Sequence, residues 1–101
     1  MAPPDHSVEI FVPLVAAADP AYLRALEQEL LDRFGGVTSF ARAPAQGRWT
    51  DGGTAETDEL IIFQVMTAGL DRPWWAALRA RLERDLEQKE VLIRAQPVER
   101  L

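Results

Sequence analysis

Apolar positions along the chain alternate between two periods, and each change of period marks a new element. In residues 8–15, VEIFVPLV, an extended chain carries Val8, Ile10, Val12 and Leu14 on one side and Glu9, Phe11, Pro13 and Val15 on the other. Both sides are mainly apolar, which suits a central strand covered on both faces, while Pro13 lacks a ladder donor and marks a bulge or strand end. In AAADPAYLRALEQELLDRFGG the spacing becomes helical: Leu23, Leu26, Leu30 and Phe34 form a stripe, Asp19 is a natural N-cap and Pro20 fits the first helical position. Gly35 or Gly36 supplies a left-handed C-cap, so the helix ends after Phe34.

Period two returns in VTSFAR, residues 37–42, and in DELIIFQVM, residues 58–66, where Leu60, Ile62, Gln64 and Met66 oppose Ile61, Phe63 and Val65. Between them, Asp51-Gly52-Gly53 is a turn signal, so residues 47–50 pair with 54–57 as the outer part of a long hairpin and APAQ forms a bulge or bend along it. A second helix follows in LDRPWWAALRARLERDLEQ, with Asp71 as N-cap, Pro73 in the first turn and Trp75, Leu78, Leu82 and Leu86 as the buried stripe. The last strand, VLIRAQPV, sets Val91, Ile93 and Ala95 against Leu92, Arg94 and Gln96 before Pro97 ends it.

This order predicts an α+β, ferredoxin-like βαββαβ fold: a four-stranded antiparallel sheet in the order 4-1-3-2 with both helices on one face. One domain spans residues 1–101, with residues 1–7 flexible. Two helices cover one face of the sheet only, which leaves Phe11 and its neighbours to be covered by something else. A homodimer packed sheet against sheet through the non-helical face is the expected remedy, each large apolar side chain so buried contributing ~1.5 to 3 kcal/mol.

Charge narrows the partners. Sixteen acidic against eleven basic residues give a net charge of -5, which opposes the phosphate neutralisation on which nucleic-acid binding depends. The topology is shared with RNA-recognition modules, but DELIIFQVM lacks the basic residue and paired aromatics of their stacking motif. With no cysteine and His6 as the lone histidine, neither a thiolate site nor a multi-histidine metal cluster is expected, and no cofactor is implied. No apolar run reaches the ~20 residues needed to span a bilayer, and MAPPDHS lacks the features of a secretion signal, so a cytoplasmic protein without membrane contact is expected.

The segments RFGGVTSFARAPAQGRW, DELIIFQVM and WWAALRARLERDLEQKEVLIRAQPVERL resemble a family of small bacterial proteins with an FGG-x-T…R-x-P…G-x-W motif. That resemblance implies a bacterial cytoplasmic protein with a ferredoxin-like fold and carries no agreed reaction. More loosely, the architecture is similar to dimeric α+β barrel proteins, which include cofactor-independent monooxygenases, lactone isomerases and stress-responsive proteins; this is an analogy of fold.

Candidate chemistry gathers on the non-helical face. Glu9 and Phe11 point there, and Arg94, Arg42 and Gln64 can join them, making a small polar set in apolar surroundings of the kind that orients a carboxylate or carbonyl. The competing reading is that Glu9 and Arg94, on adjacent strands, pair across the sheet or across a dimer interface. Arg42 and Arg48 bracket APAQG and, with Trp49, can cap a pocket mouth; alternatively Trp49 packs under the hairpin or against a partner and the arginines are solvated. Of Trp74 and Trp75 only one can face the core, Tyr22 is read as packed with its hydroxyl at the surface, and His6 lies in a terminal segment too mobile for catalysis. Two functions fit: a dimeric binding or accessory domain, or a small cofactor-independent enzyme, monooxygenase- or isomerase-like, acting on an apolar carbonyl- or carboxylate-bearing metabolite with Glu9 as proton acceptor.

Overall fold

The computed structural model describes residues 2–48 and 55–101, the side chains of residues 42–48 and 55–58 excepted. In chain order the elements are β1 (His6–Pro13), α1 (Pro20–Phe34), β2 (Thr38–Arg48), β3 (Ala55–Thr67), α2 (Arg72–Asp85) and β4 (Ile93–Pro97). The strands form one four-stranded sheet in the order β2-β3-β1-β4, every neighbouring pair antiparallel. This is the ferredoxin-like arrangement, the order 4-1-3-2 read from the other edge.

Local chemistry sets the helix ends. The Asp19 carboxylate accepts the Tyr22 N–H at 2.8 Å, and Pro20 begins α1 where its missing N–H costs nothing. Gly35 closes α1 at φ 77°, its N–H donating to the Leu31 carbonyl at 2.8 Å. In α2 the Asp71 carboxylate accepts the Trp74 N–H at 3.2 Å. Arg33, in the last turn of α1, reaches the same Asp71 at 3.2 Å and lies 4.2 Å from the centre of the Trp74 ring, so the end of one helix is tied to the start of the other.

Directly opposed residues in antiparallel strands share a face. Val8 with Val65, Ile10 with Phe63 and Val12 with Ile61 therefore look toward the helices, where they meet Leu26, Leu30, Trp75, Leu78 and Leu82 in the core. Trp75 is the member of the tryptophan pair in the core, stacked on Phe34 at 5.2 Å between ring centres, while Trp74 meets both rings edge-on.

Several strand ends differ from the alternation pattern. β1 starts at His6 rather than Val8, because the Asp5 N–H already bonds the Thr67 carbonyl at 3.1 Å and carries the ladder outward. β4 starts at Ile93: Val91 is buried, but its N–H goes to the Glu83 carboxylate at 3.0 Å instead of to a strand. β2 and β3 run further than the apolar pattern reaches, with Gln46 opposite Thr57, Gly47 opposite Glu56 and Arg48 opposite Ala55. The register shifts between Arg42 and Ala45, within the segment where a bulge is expected and where Pro44 has no N–H to give. The turn expected at Asp51-Gly52-Gly53 lies outside the described residues.

Candidate functional site

The sheet face turned away from the helices is banded. Register aligns Phe40, Ile62 and Phe11 across β2, β3 and β1 as an apolar row. Beside it runs a polar row of Thr38, Gln64, Glu9 and Arg94. Ile62, between the two aromatic residues of the row, is buried at 3% exposure, whereas Phe40 at the β2 edge keeps 46% of its surface in water. Leu92, just before β4, is similarly open at 49%.

In the polar row, Arg94 Nε donates to Glu9 Oε1 at 2.9 Å, and the guanidinium carbon lies 5.0 Å from the centre of the Phe11 ring. The two side chains differ in exposure, 16% for Glu9 against 61% for Arg94, so the carboxylate is sheltered while the cation faces solvent. Guanidinium carries five N–H donors, and its outward edge remains able to hold a carboxylate or carbonyl oxygen. Gln64 Nε2 donates to the buried hydroxyl of Ser7 at 3.0 Å, which holds the Gln64 amide in place beside Glu9.

The fold thus brings together four of the residues singled out from the sequence: Glu9, Phe11, Gln64 and Arg94. Glu9 and Arg94 pair across the sheet, the alternative to an open ligand-binding set. Arg42 stands opposite Leu60 and Arg48 opposite Ala55 in the β2–β3 ladder, but their side chains, and all of Trp49, lie outside the described residues. Sequence reasoning missed Phe40, Ile62 and Ser7 as parts of this surface. The alternation of Phe40 and Ile62 within VTSFAR and DELIIFQVM was visible, but their alignment depends on cross-strand register, and Ser7 fell in the segment read as a flexible terminus.

Two further polar contacts bear on the surroundings. The Tyr22 hydroxyl donates to Asp85 Oδ2 at 2.9 Å; burial first, then the hydrogen bond and negative charge of Asp85, push its pKa up to about 12. Asp5 accepts the Gly69 N–H at 2.9 Å and bonds His6 Nδ1 at 2.6 Å, and these contacts, the Gly69 bond foremost, hold its carboxyl below the usual range. His6 is accordingly a strand residue anchored through Asp5. Among the described residues no group of three or more acidic or histidine side chains converges as a metal ion requires, and no helix is long and apolar enough to cross a membrane.

An antiparallel βαββαβ sheet, helices on one side and a banded open face on the other, defines a ferredoxin-like α+β protein. Among solved structures the chain is similar to the divalent cation tolerance protein CutA1 from Thermus thermophilus, at 18% identity and a TM-score of 0.64 over 95% of this chain and 85% of that one. It is also similar to a phage SAM lyase in complex with S-methyl-5'-thioadenosine, at 19% identity and a TM-score of 0.61 over 96% and 84% of the two chains. The periplasmic divalent cation tolerance protein CutA from Archaeoglobus fulgidus is similar at 22% identity and a TM-score of 0.58, over 94% and 84%. At such identities the likeness is one of fold. No protein-family model matches the sequence, and no curated protein matches it.

Proposed function

We propose that the chain is a single-domain binding or accessory protein that works as a homodimer, two copies meeting through the open sheet face. The observation that carries this reading is the apolar row Phe40, Ile62 and Phe11, flanked by half-buried Leu60 and Met66, on the face turned away from both helices of the described residues. A monomer leaves Phe40 nearly half in water, and a second copy removes that cost on both sides of a two-fold axis at once. In this reading Glu9, Phe11, Gln64 and Arg94, joined by Arg42 opposite Leu60, form the ligand-contacting set at the edge of the interface, whereas Arg48, opposite Ala55 beyond the register shift, falls on the other face of the ladder. With Glu9 and Arg94 already hydrogen-bonded to each other, the pair serves to orient a carboxylate- or carbonyl-bearing ligand better than to abstract a proton. The same reading makes the chain a bacterial cytoplasmic protein of the FGG-x-T…R-x-P…G-x-W family, supported by its motif residues.

Light scattering on the eluted protein tests it. The native chain is expected at twice its 11.3 kDa mass, and Phe40→Asp, which puts a charge into the apolar row, is expected to fall toward the single-chain mass with unchanged circular dichroism. A native chain that stays at the single-chain mass across a dilution series rules the dimer out.

A further inference from the structure

The helix side of the molecule, at the β4 edge, holds a feature that shares only Arg94 with the sheet-face set. Between α2 and β4 lies a cavity of about 470 Å³, within the range of small-molecule sites. Trp75 and Ile93 form apolar wall, and Arg72, Arg79, Arg94 and His6 bring the polar groups. Arg72, Ala76 and Arg79 fall on one face of α2, the two arginines about 10 Å apart along the axis, and the small Ala76 between them leaves the gap open.

The electrostatics of this cavity run against those of the chain as a whole. Net charge is -5, yet none of the residues lining the cavity is acidic. Arg33, Arg81 and Arg84 each face a carboxylate elsewhere in the fold and Arg94, at the cavity rim, is paired with Glu9, while neither Arg72 nor Arg79 forms an ion pair among the described residues. The nearby Asp5 carboxylate is engaged by the Gly69 N–H and by His6 Nδ1, which leaves the other ring nitrogen of His6 uncommitted to it.

We propose that this cavity binds a small organic acid: an anionic head held between Arg72 and Arg79, with an apolar body against Trp75 and Ile93. Arginine forks favour carboxylate, sulfonate or phosphate oxygens, and the apolar wall rewards a hydrocarbon or aromatic body over an inorganic ion. Arg72, Ala76 and Arg79 lie on α2, on the helix side of the sheet, so they stay accessible whether or not two copies meet through the other face; Arg94 alone is shared between the two.

The probe is 8-anilinonaphthalene-1-sulfonate, an apolar anion whose fluorescence reports binding, compared with the uncharged N-phenyl-1-naphthylamine. Saturable binding of the anion to the native chain is expected, weakened about tenfold or more in Arg72→Gln/Arg79→Gln, while the uncharged probe loses little. Ala76→Phe keeps both charges but fills the gap and is expected to weaken the anion comparably. All three positions are exposed on α2, so circular dichroism should be unchanged. The proposal is overturned by absence of saturable binding to the native chain, by undiminished anion affinity in either variant, which would move the probe to the apolar sheet face, or by equal losses for the two probes in the arginine variant.

Discussion

Tyr22 is the only tyrosine in the chain, so its titration can be followed by phenolate absorbance without interference from another phenol. Burial and the Asp85 carboxylate favour the neutral phenol in the native state and push its pKa up to about 12 from an ordinary value of 10. The folded pKa lies above the unfolded one, so the stabilisation is complete below pH 10 and is lost as pH rises from 10 through about 12. Two pKa units correspond to at most about 2.7 kcal/mol, and screening by water around the partly exposed ring reduces this to about 1 kcal/mol. Asp85→Asn removes the charge and the carboxylate acceptor but leaves the burial, so its midpoint should fall toward 10 and remain above it. In Tyr22→Phe the matching fraction of alkaline destabilisation, measured by urea unfolding, should disappear. Lys89 is the sole lysine, which leaves few other groups titrating in that window. A native midpoint at 10 with the fold intact by circular dichroism would refute the Tyr22–Asp85 contact.

Other consequences follow from burial and backbone geometry. Leu82 is completely buried at the centre of the α2 stripe, so Leu82→Ala should lower unfolding free energy by about 2 to 5 kcal/mol in urea titration. At Gly35, φ is 77° and an added Cβ meets nothing within 4 Å, so the cost of Gly35→Ala is purely conformational, about 1 kcal/mol by thermal unfolding, while Gly36→Ala should be close to neutral. Phe40 exposes 46% of its surface, so covering it recovers about half of ~1.5 to 3 kcal/mol per copy. Doubled by two-fold symmetry, this predicts that Phe40→Ala weakens dimerisation by roughly tenfold to a hundredfold in sedimentation equilibrium.

The helices were legible because their signals are local. Asp19, Pro20 and Gly35 act within one turn of themselves, and the stripe of Trp75, Leu78, Leu82 and Leu86 needs only the helical period to be read. The Glu9–Arg94 pair was legible at one remove, since the topology sets β1 beside β4 and the alternation puts both residues on the outer face. Strand ends were not, because they depend on which neighbour offers a hydrogen bond: His6 joins β1 through the ladder to Thr67 and Pro97, and Val91 leaves β4 for Glu83. The cavity flanked by Arg72 and Arg79 was invisible in the sequence, where both residues lie off the buried stripe of the second helix. Its existence follows from the short β4 and the small Ala76, which together leave space beside α2.

Whether two copies meet through the open sheet face is read directly by an isotope-filtered NOE experiment on a mixture of labelled and unlabelled chains. A dimer built on the apolar row gives cross-copy NOEs among Phe11, Phe40 and Ile62. Cross-copy NOEs confined to α1 and α2, or none under any condition, contradict it.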